Sequence, residues 1–278
     1  MENPRTASDR PLTEIAAGGL SNVGALLVDL DGVLYVEDDP VPGARQAVAS
    51  LRRLPLRLRF VTNTTSRSRP ATLDKLRRLG FPLGDDELVT PAALAVRHCL
   101  SAGRRRASLL MNFDVKGDFG ELIEDDERPE AVIVGDLGRA FDYDVLNRAF
   151  RNVLQGAELV ALQKNRYWRR EDGLSLDVGP FVAALEYATG REAHVVGKPA
   201  PDFFRGILAE VGVEAAAAAM VGDDAETDVG GAMNAGLAGI LVRTGKYREE
   251  TVLAAGIEPT ATVDSIADVP ELLATAGR

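Results

Sequence analysis

Ala25-Leu26-Leu27-Val28-Asp29-Leu30-Asp31-Gly32-Val33-Leu34-Tyr35 is the stretch on which the reading of this chain turns. Its first four residues form a short apolar run of the kind that lies buried on both faces of a parallel sheet. The run stops at Asp29, and Gly32 lets the backbone turn sharply just afterwards. In an open parallel sheet ligands bind off the carboxyl ends of the strands, which is where Asp29 falls. Two carboxylates two residues apart at such a point repel unless a cation or a proton separates them. Taken alone, Asp-x-Asp-Gly is more often a solvated turn.

Outward from this stretch the same grammar repeats. Leu58–Val61, Ala219–Val221 and Gly239–Val242 are further short apolar runs, and the spacing predicts helices over Arg45–Leu54, Pro70–Leu79, Asp202–Val211 and Asp228–Ala235. Parallel strands need crossovers, so the alternation predicts an α/β fold with a doubly wound, Rossmann-like parallel-sheet core. The middle of the chain carries a second set of strand-like runs, Ser108–Met111, Ala131–Val134 and Glu158–Leu162, with helical patterns at Val145–Leu154 and Phe181–Thr189. That stretch is long enough to bury its own core. The expectation is a flexible extension over 1–24, a catalytic core over 25–85 and 193–278, and an inserted α/β cap domain over 86–192. The strand-like His194–Val196 is expected to lead back to the first sheet.

Three more strand tips carry polar groups. Phe60-Val61-Thr62-Asn63-Thr64 ends a strand in hydroxyl and amide groups able to bind a phosphate oxygen, although Thr and Asn also cap helices and make turns. Val196-Gly197-Lys198-Pro199 holds a lysine in a tight loop before a helix, where a fixed ammonium suits a phosphate or a carboxylate; a loop lysine is otherwise a surface charge. Met220-Val221-Gly222-Asp223-Asp224-Ala225-Glu226-Thr227-Asp228 clusters hard oxygen ligands that suit Mg²⁺, and it also reads as an acidic helix N-terminus. Each signal alone has its bland alternative. Four strand tips presenting Asp-x-Asp, Thr-Asn, Lys and Gly-Asp-Asp in this order are not a chance arrangement, and the catalytic reading takes over.

Composition bounds the partners. With 32 basic and 42 acidic residues the chain carries a formal charge of −10, which disfavours a general nucleic-acid or anionic-membrane surface. An anionic substrate is still admissible, because a metal and a few local cations reverse the sign inside a cleft. Cys99 is the sole cysteine, so no intrachain disulfide forms. The first two dozen residues lack the apolar stretch of a signal peptide, and no window approaches the roughly 18 apolar residues of a membrane span. The expectation is a cytoplasmic protein.

The four constellations resemble the four motifs of the haloacid dehalogenase superfamily of phosphatases, from about Ala25 to the C-terminal helix. The insertion between the second and third motifs resembles the subclass with a large α/β cap. Gly190 to Arg248, with Gly-Lys-Pro-Ala-Pro-Asp-Phe-Phe and Leu-Val-Arg-Thr-Gly-Lys-Tyr-Arg, is similar to the branch that holds the phospholysine phosphohistidine inorganic pyrophosphate phosphatases and their hydrolase-domain relatives. So is the run Asn165-Arg166-Tyr167-Trp168-Arg169-Arg170.

That resemblance implies Asp29 as nucleophile and Asp31 as general acid and base. It implies Thr62, Asn63 and Lys198 on the phosphoryl group. It further implies Mg²⁺ held by Asp223, Asp29 and the Asp31 carbonyl, with Asp224 and Asp228 positioning the metal's waters. Lys164, Asn165, Arg166 and Trp168 are expected in a substrate-specificity loop, and the cap is the expected face of a homodimer. The implied substrates are pyrophosphate or phosphoramidates, the alternative being small phosphomonoesters such as nucleotides, sugar phosphates or pyridoxal phosphate. A receiver-type phosphoaspartate signalling module is about half this length and lacks the second aspartate. A metal-free haloalkanoate dehalogenase has no use for the acidic cluster after Gly222.

Overall fold

The apolar run before Asp29 is the strand Ala25–Asp29, buried at every residue. It pairs in parallel with Ala218–Gly222, which pairs in parallel with Ala238–Val242, and that strand with Ala261–Val263. Arg57–Val61 stands on the other side of Ala25–Asp29. Leu26, Leu27 and Val28 have no exposed surface. Burying each such side chain contributes about 1.5–3 kcal/mol as an upper bound, and this anchorage fixes where Asp29 emerges. The helix Ala44–Leu51 buries Ala44, Ala47, Val48 and Leu51, the i, i+3, i+4, i+7 stripe of an amphipathic helix, and packs against Ile266–Asp268 and the helix Val269–Ala276.

The computed structural model describes residues 19–170 and 173–276, without the side chains of Arg169 and Arg170. They fall into two compact units, one on the stretches up to Phe60 and from Leu208 onward, the other on Val61–Ile207. Of the expected extension over 1–24, residues 1–18 lie outside the described residues. Leu20 is buried. The Gly24 N–H donates to the Ala217 carbonyl at 2.8 Å, and its own carbonyl accepts from Arg57 N–H at 2.8 Å. Gly24 is therefore held ahead of the first apolar run, through backbone bonds that leave no trace in side-chain pattern.

The second unit has its own five-stranded sheet in the order His194–Val195, Glu158–Ala161, Ala131–Val134, Arg106–Leu110, Ile123–Glu124, parallel at every pairing. Two helices, Tyr143–Leu154 and Val178–Thr189, bury Ala149, Val153, Val182 and Leu185 with Val132, Val134 and Leu159 of the sheet. Asp142 caps the first helix by accepting from Val145 N–H at 2.9 Å, and Asp177 caps the second from Val178 N–H at 2.8 Å. His194–Val195 does not lead straight back to the first sheet: it is an edge strand here, paired with Val160 and Ala161. Its imidazole stacks on His98 with ring centroids 3.9 Å apart, and His98 Nε2 lies 3.0 Å from Glu158 Oε2. A two-residue strand has too short a pattern to announce its sheet. An antiparallel hairpin, Tyr167–Arg170 with Gly173–Leu176, projects Tyr167, Leu174 and Leu176 into solvent. No helix among the described residues is long and apolar enough to cross a membrane.

Candidate active site

Three carboxylates converge where the strands Ala25–Asp29 and Ala218–Gly222 end. One oxygen each from Asp29, Asp223 and Asp228 lies within 4.8 Å of the others. Their side chains are 7%, 2% and 1% exposed, so water does little to screen them from one another. Asp29 is the last residue of its strand and Asp223 the first after the neighbouring one. Asp228 arrives by a different route. The predicted helix over Asp228–Ala235 starts earlier, as a π-helical turn over Ala225–Gly230, with Val229 N–H reaching the Asp224 carbonyl five residues back at 3.3 Å. The wide turn folds Asp228 back over the strand end. Gly222 makes room for it: a Cβ there would lie 2.2 Å from the Asp228 Cβ.

The electrostatics follow from this crowding. Burial, then the Asp29 charge, then that of Asp228 push the Asp223 carboxyl up to about 8, against the opposing pull of the Lys246 N–H and ammonium. The two Asp223 oxygens have different surroundings. Oδ2 accepts from Lys246 N–H at 2.6 Å. Oδ1 is buried and has no hydrogen-bond partner among the described residues. A buried acceptor without a donor, facing two further carboxylates, is where a hard divalent cation fits. The cation would satisfy the orphan oxygen and remove the repulsion at once.

The remaining first-unit residues divide by role. Asp31 is exposed, apart from the three-carboxylate group, and its Oδ2 accepts from the buried Tyr35 hydroxyl at 3.3 Å. Gly32 turns the chain with φ +84°, and a Cβ there would lie 1.8 Å from Asp223 Oδ2. Asp224 caps the π-helical turn, its Oδ1 accepting from Glu226 and Thr227 N–H at 3.1 and 3.0 Å, while Lys246 Nζ stands 3.5 Å from its Oδ2. Asp228 therefore joins the carboxylate cluster directly and Asp224 holds the turn that brings it there.

In the second unit Thr62, Asn63 and Lys198 stand at the ends of Arg57–Val61 and of the segment after His194–Val195. Thr62 is buried; its N–H donates to the Val89 carbonyl at 3.3 Å and its hydroxyl oxygen accepts from Thr64 N–H at 3.0 Å. Asn63 clasps the lysine backbone with both ends of its amide. Nδ2 donates to the Lys198 carbonyl and Oδ1 accepts from the Lys198 N–H, each at 2.9 Å. That pair of bonds holds Lys198, which is buried, in one place. Lys164 pairs with Glu186 at 2.9 Å, and the buried Gln163 donates to Asp177 at 2.6 Å. Asn165 and Arg166 follow on the way into the hairpin, and Trp168 on its first strand is exposed.

Four residues at the first-unit site escaped the sequence reading of roles: Tyr35, Thr244, Gly245 and Lys246. The last three lie in the Leu-Val-Arg-Thr-Gly-Lys-Tyr-Arg stretch, where the Thr244 hydroxyl, the Gly245 backbone and the Lys246 N–H reach Gly32 and Asp223.

Comparison with known proteins gives concordant matches. Residues 26–117 fit the family model described as haloacid dehalogenase-like hydrolase, and residues 195–269 one described as HAD-hydrolase-like. The chain is similar to the bovine (Bos taurus) haloacid dehalogenase-like hydrolase domain-containing protein 2, 47% identical over 224 residues that cover 81% of this chain and 85% of that one. It is also similar to the bovine phospholysine phosphohistidine inorganic pyrophosphate phosphatase, 40% identical over 91% of this chain and 95% of the relative. Among solved structures, the glycerol phosphate phosphatase of Mycobacterium tuberculosis in complex with magnesium superposes with a TM-score of 0.77, at 30% identity, over 92% of this chain and 80% of that one.

Proposed function

This chain belongs to the haloacid dehalogenase-like hydrolase family, and from that premise we propose that it is a Mg²⁺-dependent phosphatase working through a phosphoaspartate on Asp29. The observation that carries the proposal is the buried convergence of Asp29, Asp223 and Asp228, with Asp223 Oδ1 left without a hydrogen-bond partner among the described residues. Asp29, Asp223 and Asp228 are the side chains that would hold the ion, which when bound neutralises the nucleophile and the phosphate and polarises the phosphoryl oxygens.

The chain's own residues then divide the labour. The Asp29 carboxylate attacks phosphorus, and Asp31 protonates the departing oxygen or nitrogen, its carboxyl oriented by the Tyr35 hydroxyl. Water next attacks the phosphoaspartate and Asp31 takes its proton. Lys198, held through its backbone by Asn63, supplies positive charge for the phosphoryl oxygens, and Thr62 a hydroxyl. The kinship to a pyrophosphate and phosphoramidate phosphatase supports those substrates, and the kinship to a glycerol phosphate phosphatase supports small phosphomonoesters.

The test is metal dependence. Turnover of p-nitrophenyl phosphate is expected to vanish with a chelator and to return with Mg²⁺. Ca²⁺ is expected to restore it poorly, because its larger, looser shell does not hold the nucleophile in line. Full activity without a divalent ion would sink the proposal.

Substrate choice we assign to the inserted segment over 86–192, through Lys164, Asn165, Arg166 and Trp168. Asn165→Ala and Trp168→Ala are expected to reorder kcat/KM across a panel of phosphate compounds while leaving the Mg²⁺ requirement in place. An unchanged ranking in both variants, with unchanged thermal stability, would place specificity elsewhere. The same segment is the proposed face of a homodimer, which light scattering reads directly.

A further inference from the structure

We infer that Thr244-Gly245-Lys246 is a positioning loop that aims the metal-binding oxygens of this site, acting through the backbone of Gly32 and through one oxygen of Asp223. The inference rests on the metal reading above and names residues that reading does not use.

The loop follows the strand Ala238–Val242, next in the sheet to the strand that carries Asp223. Its start is pinned by Arg243, whose N–H donates to the Val263 carbonyl at 3.0 Å and whose guanidinium meets Asp264 at 2.8 Å. Its end is closed by Tyr247 N–H donating to the Thr244 carbonyl at 3.2 Å. Between these anchors three contacts reach the acidic cluster. The Thr244 hydroxyl donates to the Gly32 carbonyl. Gly245, at φ +60°, lies so close that a Cβ would sit 2.1 Å from Asp223 Oδ2 and 2.4 Å from the Gly32 Cα. Lys246 N–H donates to the same Oδ2 at 2.6 Å.

Two consequences follow from bond geometry. With Oδ2 held by Lys246 N–H and walled in by two glycine backbones, the Asp223 carboxylate cannot rotate freely. Oδ1 is then the oxygen it presents, and Oδ1 is the buried atom with no partner among the described residues. The second consequence concerns the Asp31–Gly32 peptide. Gly32 N–H donates to the Tyr35 carbonyl at 2.7 Å, and in a trans peptide the carbonyl points opposite to the N–H, so the Asp31 carbonyl faces away from Tyr35. Thr244 fixes the following peptide and keeps this turn from relaxing. Partners that orient ligands in this way are typically worth about 10–100-fold in metal affinity.

The experiment is calorimetric titration of the folded, metal-free protein with MgCl₂ alone, with thermal unfolding measured alongside. Thr244→Val keeps the bulk of the side chain and loses the donor; Mg²⁺ affinity is expected to fall about tenfold. Thr244→Ser restores the donor and is expected to return affinity to near the wild-type value. Lys246→Met keeps the backbone N–H and loses the ammonium, and affinity is expected to hold or to rise. Turnover of Thr244→Val should recover as Mg²⁺ is raised, since the defect lies in holding the ion. Wild-type affinity in folded Thr244→Val, a serine variant as weak as the valine, or a Lys246→Met loss as large would each overturn the proposal. If the valine variant does not fold, Thr244→Ala takes the same titration against the same serine control. Failure of the wild type itself to bind Mg²⁺ strikes the metal reading and takes this proposal with it, and is recognised because no variant is needed to see it.

Discussion

Asp29→Asn is expected to lower turnover by at least about 10⁴-fold, the scale on which enzymes lose rate when their nucleophile is removed. The amide has almost the shape of the carboxylate and cannot attack phosphorus. The fold should survive, because the strand that carries Asp29 is anchored by Leu26, Leu27 and Val28 and not by the carboxylate. The substitution also removes one of the charges that raise Asp223, so the metal-free protein should be no less stable than wild type. Two measurements separate a lost nucleophile from a damaged site. Acid quenching during turnover of a ³²P-labelled substrate should trap label on the wild type and none on the variant, and the variant should keep a thermal shift with Mg²⁺. Activity above a few per cent of wild type in a clean preparation would remove Asp29 from the role.

Asp223→Asn is expected to reverse the two properties that distinguish the site. In the metal-free protein the Asp223 carboxyl is raised from 3.8 to about 8, so the folded state binds this proton more tightly than the unfolded state does. The stability from this group is therefore fully present below the unfolded value and is lost as pH rises through about 8. Metal-free wild type should accordingly melt at falling temperatures from pH 5 to pH 9, and Asp223→Asn should flatten that slope. In the variant an amide N–H₂ can face Asp29 and Asp228 where a carboxylate repelled them, while the amide oxygen keeps the Lys246 bond. Mg²⁺ should stabilise the wild type most at high pH, where it replaces the missing proton, by about 2.7 kcal/mol at a hundred times its dissociation constant. The variant should show little of that gain and little turnover. A variant that kept the full Mg²⁺ shift would show that the ion is held elsewhere.

The strands that end in the acidic cluster were legible within a residue, because Ala25–Val28 and Ala219–Val221 are apolar runs with a polar stop. What the pattern could not carry was of four kinds. Ala261–Val263 is too short and contains Thr262, so it has no run to detect. The hairpin at Tyr167 and Leu174 is exposed, and without a buried face its alternation has no hydrophobic signature. The closeness of Asp228 to Asp29 and Asp223 has no signal in the sequence either. Helical periodicity of 3.6 gives no warning of a π-helical turn that adds a residue. The Lys246 contribution is a backbone N–H, which every residue but proline possesses.

The division of the chain into a continuous unit, Val61–Ile207, set within a split one has a consequence for the order of synthesis. The strand Ala25–Asp29 is made first, and its parallel partner Ala218–Gly222 follows about 190 residues later. Through that interval the nascent chain carries an apolar strand with an unsatisfied edge, while the strands of the continuous unit's own sheet are made one after another, ending with His194–Val195. Closing the long gap costs little beyond a short one, since each doubling of loop length adds only about 0.6 kcal/mol. The hazard is one of time and not of equilibrium. The acidic cluster cannot assemble until Asp223, Asp228 and the Lys246 backbone that holds Asp223 have all been translated, long after Asp29.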